Sequence, residues 1–277
     1  TYPEKLPSLS KPLVMQGQTA GAGHSSPSLM VLHENDQGWA VSTIGSDLSM
    51  QTQSFQGRLK GIPERLMLHD LDQDDWVDCL IFTPYEPLIC LRQQADDIYE
   101  TIEVTPPAGS WQGGWATSGD LNADGRSELI MPFKNMVRAY NMTSRTLSND
   151  TDTPTLEWAL QVVGQINGPS HTSNLRSGVV LQDDEGSETS VALFDVSESR
   201  LHVAEQDSKG VWRVISSQDI IVNELVRLQQ LENEKSQEIL LLCEGKDGAT
   251  LNTIGGQSPI LKPIGEQRSM AREARLQ

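Results

Sequence analysis

The chain has 277 residues, with 21 Lys plus Arg against 38 Asp plus Glu, a formal net charge of −17. That field repels duplex nucleic acid and anionic membrane surfaces, and it favours divalent cations as partners. Aromatic residues make up 5%, with 22 Gly and 14 Pro, a balance that suits many short strands joined by turns.

Residues 1–11 read as a linker or N-terminal extension. They open TYPEK, without an initiator Met, a basic n-region or an apolar h-region, as expected of a piece excised from something longer. No apolar run approaches the roughly 18–20 residues of a membrane helix. From residue 12 onward, short apolar runs follow one another. LVMQG, SLMVL and GWAVST occupy residues 12–61; RLMLH, DCLIF, LICLR and IYETIEV occupy 62–110. GGWATSG, ELIMPF, MVRAY and LEWALQVV occupy 111–174. RSGVVL, SVALF, RLHVA and VWRVIS occupy 175–223, and LVRLQ, EILLL and ATLNTI occupy 224–265. β-Branched and aromatic residues are enriched in these runs, Gly, Pro, Asn and Asp lie between them, and no 3.6-residue stripe persists, so strands are predicted rather than helices.

Two acidic loops set the period. In DLDQDDWVDCLIF, Asp70 is followed eight residues later by Asp78 and an apolar run; in DLNADGRSELIM, Asp120 and Glu128 hold the same places. Degenerate copies begin at Ala20, Gln182 and Gln230, so the starts 20, 70, 120, 182 and 230 give steps of 50, 50, 62 and 48. The long step contains the polar insertion NMTSRTLSNDTDTPT. A repeat of this length points to a propeller or solenoid, and four strands per unit point to a propeller. The expected fold is therefore an all-β β-propeller with about five four-stranded antiparallel blades in this chain, part of a larger ring. Residues 266–277 read as the start of a further repeat, because Leu276 sits where Leu228 and Leu68 sit, or else as a frayed helical tail.

Both loops have the chemistry of a cation cage. Ca²⁺ takes six to eight oxygens at about 2.3–2.6 Å, and alternate positions of a tight turn point to one side. The candidate ligands are Asp70, Asp72, Asp74, the Trp76 carbonyl and Asp78 in one loop. In the other they are Asp120, Asn122, Asp124, the Arg126 carbonyl and Glu128. Gly125 supplies the positive φ such a turn needs, and Asp75 stands in its place in the first loop. An EF-hand requires an acid at position 12, where these loops have Ile81 and Met131. A single Asp-Asn-Gly cluster is most often a solvated turn; two at matched repeat positions favour the ion. The remaining loops lose the donor pattern, with Ala20, Ala22 and His24 in one, little beyond Asp184 in another, and Lys235 intruding among glutamates in the last.

DLDQDDWVD with its following CLIF, and SGDLNADGRSE with its following LIM, resemble the FG-GAP/VCBS repeat family, the calcium-bearing propeller blades of integrin α-chain heads and secreted bacterial proteins. The resemblance implies a structural Ca²⁺ in each intact loop, two in all, and a ring that commonly has seven blades. The motif is specific for the blade type and weak for function.

Signatures of catalysis are missing: no G-x-S-x-G, no phosphate-cradling P-loop, no H-E-x-x-H and no C-x-x-C. The histidines His24, His33, His69, His171 and His202 are scattered and read as packing or surface groups. Cys79, Cys90 and Cys243 are too few for a disulfide framework, and Cys79–Cys90 is the one pair a hairpin could bridge. Trp158 and Trp212 align with Tyr99 as anchors of final strands, while Trp111 and Trp115 are the expected ligand-facing pair. Asn141-Met-Thr and Asn149-Asp-Thr are glycosylation sequons for a eukaryotic source. The expected function is a non-enzymatic, calcium-stabilised, secreted, periplasmic or cell-surface propeller that binds protein or carbohydrate. The alternative is the propeller portion of a secreted polysaccharide-active enzyme, a lyase or hydrolase.

Overall fold

The structure is a computed structural model. It describes residues 12–18, 28–36, 38–54, 59, 61–95, 98–105, 113–147, 155–182, 189–220, 224–233, 236–245, 248–255, 262–263 and 268–270, with backbone alone before 29 and after 220. Among these residues all regular structure is strand except one short 3₁₀ turn at Gly113–Trp115. Nearly every apolar run of the sequence is one strand.

The first sheet is an antiparallel meander of β1 (Pro12–Gln18), β2 (Ser28–Asn35), β3 (Gly38–Gly45) and β4 (Met50–Ser54). A second meander follows in β5 (Arg65–His69), β6 (Asp78–Phe82), β7 (Leu88–Ala95) and β8 (Ile98–Thr105). The third comprises β9 (Thr117–Gly119), β10 (Glu128–Phe133) and two long strands, β11 (Met136–Leu147) and β12 (Thr155–Asn167). The fourth is β13 (Leu175–Gln182), β14 (Thr189–Asp195), β15 (Arg200–Gln206) and β16 (Trp212–Asp219). The fifth has β17 (Glu224–Asn233), β18 (Ser236–Gly245) and β19 (Gly248–Gly255), with both β20 (Lys262–Pro263) and β21 (Arg268–Met270) on β19. Part of the tail at 268–270 is thus strand, not helix; residues 271–277 lie outside the described residues.

The middle of the chain departs from separate four-stranded antiparallel sheets. Trp158 and Ala159 of β12 pair in parallel with Val104 and Thr105 of β8, giving one mixed eight-stranded order, β5-β6-β7-β8-β12-β11-β10-β9. At 12 and 13 residues, β11 and β12 are long enough to reach past their own sheet.

Two compact units divide the chain, residues 1–109 with 141–161 and residues 110–140 with 162–277. In the first, Met30, Leu32, Val41, Leu66, Cys79, Ile81, Ile89 and Leu91 form the core, edged by Trp39, Leu68 and Tyr99. All five residues of β6 are buried, which explains why DCLIF reads as an uninterrupted apolar run rather than an alternating one. Cys79 and Cys90 are buried free thiols. Cys79 stands opposite Leu91 and Cys90 opposite Leu80, so strand alternation sends the two sulfurs to opposite faces. In the second unit, Ile130, Val137, Leu175, Val180 and Leu193 form one cluster, while Leu181, Phe194 and Leu201 belong to another. The two acidic loops connect β5 to β6 in the first unit and β9 to β10 in the second.

Candidate metal centre

Each acidic loop begins by burying its second residue. Leu71 is 1% exposed and Leu121 is 6% exposed, so each loop is held at its root by an apolar anchor. The chain then needs two left-handed residues to turn back. Gln73 (φ 60°) and Asp75 (φ 70°) supply them in one loop, Ala123 (φ 59°) and Gly125 (φ 86°) in the other. The glycine place was legible in the sequence. The left-handed Gln73 and Ala123 were not.

The hydrogen bonds repeat as closely as the backbone. Asp70 accepts from the amides of Asp74 (3.1 Å) and Asp75 (3.0 Å); Asp120 accepts from those of Asp124 (3.1 Å) and Gly125 (2.7 Å). Asp74 Oδ1 accepts from the Trp76 amide at 3.0 Å, as Asp124 Oδ1 does from Arg126 at 2.8 Å. Asp78 closes its loop by accepting from the Leu71 amide at 3.0 Å, and Glu128 does the same for Leu121 at 2.8 Å. An acid eight residues after the first is therefore required by the turn itself, because it satisfies an amide buried at the loop's root.

In the first loop one carboxylate oxygen from each of Asp70, Asp72 and Asp78 lies within 4.8 Å of the others. Asp74 is drawn aside, with Oδ2 accepting from Arg92 Nη2 at 2.9 Å. Arg92 Nε also donates to Asp72 Oδ2, and its guanidinium lies 5.5 Å from the centre of the Trp158 ring. Nothing in the sequence places Arg92 here, since it lies on β7, outside the repeating motif. Burial pushes the Asp78 carboxyl up to about 7, against the Leu71 and Gln93 amides that favour its anion. Burial also raises Asp70 and Asp72, with Arg92 opposing the rise at Asp72.

The second loop is more open. Asn122 and Asp124 are exposed, with Asn122 Nδ2 donating to Asp124 Oδ2 at 2.9 Å, while Glu128 is fully buried and burial raises its carboxyl. Asp120, Asp124 and Glu128 do not converge to 4.8 Å as the first set does.

Both loops fit a hard cation by the same test. Asp72 Oδ1 and Glu128 Oε1 are buried carboxylate oxygens with no hydrogen-bond partner. An unpaired buried anion is costly, and a cation at either place removes the cost.

His69 is buried beside the first loop, and burial lowers its imidazole to about 4, so it stays neutral and does not compete with an ion there. His33 is buried and hydrogen-bonded to Ser42 at 2.8 Å, His202 is buried on β15, and His171 is exposed. Trp115, expected to face a ligand, is half-buried against the Val179–Phe194 cluster. Trp111, the degenerate loops at Ala20–His24 and Asp184, and Lys235 lie outside the described residues. A cleft bounded by Met30, Thr43, Gln53, Leu91 and Tyr99 holds about 60 Å³, room for water rather than for a sugar.

Over 95% of its length the chain is similar to the periplasmic gluconolactonase PpgL of Pseudomonas aeruginosa, at 15% identity and a TM-score of 0.51, covering 72% of that chain. A crystallised protein from Lactobacillus plantarum is similar over 90% of this chain and 73% of its own, at 13% identity and a TM-score of 0.50. No protein-family model matches the chain, and no curated protein matches it in sequence. Likenesses at this identity establish the fold alone, a β-propeller. They also overturn the expected non-enzymatic scaffold, because the same architecture across nearly the whole chain belongs to a protein named for an enzymatic activity. The reason is physical. Propellers assemble sites from side chains on separate blades, so missing linear motifs say little about catalysis. Among the described residues no helix is long and apolar enough to cross a membrane.

Proposed function

We propose that this chain is the propeller of an extracytoplasmic enzyme acting on carbohydrate-derived substrates, opening a sugar lactone or cleaving a polysaccharide as a hydrolase or lyase. The observation that supports it most is the shared architecture over 95% of the chain with a periplasmic gluconolactonase. In this reading residues 12–265 form five blades of the FG-GAP/VCBS type, and the loops at Asp70 and Asp120 each carry a structural Ca²⁺.

The ion's role is to fix two turns. Asp70, Asp72, Asp74 and Asp78 supply the carboxylates of the first loop, which repel one another without it, and Asp120, Asn122, Asp124 and Glu128 supply the oxygens of the second. The carbonyls of Trp76 and Arg126 are the proposed backbone donors. A rigid turn between the two inner strands of a blade keeps register, and register decides which residues line a substrate groove.

The test is turnover by the full-length protein. Purified protein in calcium is mixed with an aldonolactone, with proton release followed in a weakly buffered indicator, and separately with acidic and neutral polysaccharides. Acid or new chain ends released well above the protein-free rate support the reading. No product from either substrate class overturns it.

A further inference from the structure

We propose that Asp195, Glu198 and His202 form a binding site for a divalent transition-metal ion, Zn²⁺ or a close relative, at the turn between β14 and β15. It is separate from the calcium loops, and it stands whether or not the chain acts on a carbohydrate.

The geometry is built from two buried side chains that present idle atoms to each other. Asp195 and His202 are 0% and 1% exposed. Asp195 Oδ1 accepts from the amides of Asn174 (3.0 Å) and Ser197 (2.9 Å) and from the Ser197 hydroxyl (2.5 Å), and the Ser173 hydroxyl also favours the carboxylate. Oδ2 is buried and receives nothing. His202 Nδ1 is hydrogen-bonded to Ser217 Oγ at 2.7 Å, and Nε2 is likewise buried with no partner. These two idle atoms lie 3.9 Å apart. That is too long for a hydrogen bond, which ends near 3.2 Å. It is close to the separation of about 3.4 Å between two donors on one tetrahedral ion with bonds of about 2.0–2.1 Å.

Glu198 completes the set: one ligand atom from each of Asp195, Glu198 and His202 lies within 4.8 Å of the others. At present it also accepts from Arg200 Nη1 at 3.3 Å. Arg200 has a second partner in Asp219, at 2.5 Å from its Nε, so its charge stays paired when Glu198 turns inward.

The frame around these groups is already rigid. The Val196 amide donates to the Asn174 carbonyl at 3.0 Å, and the Ile220 amide to the Ser199 carbonyl at 2.9 Å, pinning both sides of the turn to flanking strands. Ser199 takes the left-handed conformation that lets the chain re-enter β15 at Arg200, opposite Asp195. With Nδ1–H donating to Ser217 Oγ, the imidazole lone pair on Nε2 faces Asp195, the arrangement by which a second group orients a histidine ligand. One imidazole with two carboxylates suits Zn²⁺, Mn²⁺ or Fe²⁺; Ca²⁺ prefers oxygen alone.

The experiment uses the full chain, stripped with chelator and returned to saturating Ca²⁺ so that the carboxylate loops are filled. Zn²⁺ is titrated by calorimetry, and Co²⁺ by its visible absorption. One equivalent is expected to bind, with Glu198→Gln and His202→Gln each weakening it by about tenfold or more. Glu198 lies partly exposed on a turn, so its variant keeps the fold and carries the test if His202→Gln does not fold. Absence of binding to the wild type, as when a water bridges the two idle atoms, overturns the proposal. So does binding that Glu198→Gln leaves untouched.

Discussion

Arg92 holds one oxygen of Asp72 and leaves the other, Oδ1, buried without a partner. The loop thus carries an internal cation on one side only. Register puts Asn141 at the matching place of the next meander, because Cys90 faces Leu80 as Ala139 faces Ile130. The residue at that place is neutral. Arg92→Met removes charge-assisted bonds to Asp72 and Asp74, each worth about 1.5–3 kcal/mol at most and less at a group that is 21% exposed. Thermal unfolding in chelator is expected to drop by several degrees, and Ca²⁺ to restore much of the loss. Equal losses with and without Ca²⁺ would count against an ion at this loop.

The two loops are expected to add independently. At millimolar Ca²⁺, a site with a dissociation constant of about 10⁻⁴–10⁻³ M contributes roughly 0.5–1.5 kcal/mol. Asp72→Ala and Asp124→Ala should each remove one such increment, a shift of about 1–6 °C in the calcium-dependent part of Tm. The double variant should show no calcium response. A calcium gain that survives both changes would remove the ion from these loops.

The shared backbone makes a sharper forecast at one position. Gly125 has φ +86° with open space where a Cβ would stand, so only the backbone conformation resists substitution. Asp75 occupies the same place at φ 70°. Gly125→Asp is therefore expected to cost no more than about 1 kcal/mol, while the β-branched Gly125→Val costs about 1–2 kcal/mol more, read by denaturant unfolding. Comparable costs for the two variants would mean that the loops are not equivalent.

How far the sequence carried these conclusions differs from level to level. The strands were legible because central strands such as β6 and β10 are buried along nearly their whole length, leaving unbroken apolar runs. Loop register was legible because Asp78 and Glu128 each serve a fixed buried amide, which ties the acid's position to the turn. The β8–β12 pairing was not, since it involves two residue pairs between outer strands with no shared motif. Local context also hid why Gly119 replaces His69 in the next unit. Gly119 stands there because a Cβ would lie 2.6 Å from Val180, a packing constraint imposed from more than sixty positions away in the chain. Asp195 and His202 were missed for a related reason, being joined by strand pairing rather than by spacing. The likeness to a gluconolactonase fold left no linear trace at all.

Asp78 makes the metal-free protein sensitive to pH in an unusual direction. Its carboxyl is pushed up to about 7 by burial, against about 3.9 in an unfolded chain. Between those values the folded state holds a proton that the unfolded state has released, so stability falls as pH rises. Above about 7 the full cost of a buried anion is present; below about 4 it is absent. Burial raises Asp70, Asp72 and Glu128 too, so they add to the same slope. Groups lowered on folding, such as Asp207, whose side-chain bond to Arg213 leads the causes, tilt the total the other way. The decisive quantity is therefore the difference between wild type and Asp78→Asn in chelator, measured as Tm from about pH 5 to pH 8. Asn still accepts one of the two amides that Asp78 serves, but it carries no charge. Wild type should lose stability relative to the variant as pH rises through this window. Ca²⁺ should cancel the loss in the wild type alone, because a bound cation compensates the anion. Parallel curves for the two proteins in chelator would show that Asp78 is not strained by its burial, and would remove the electrostatic ground for an ion beside it.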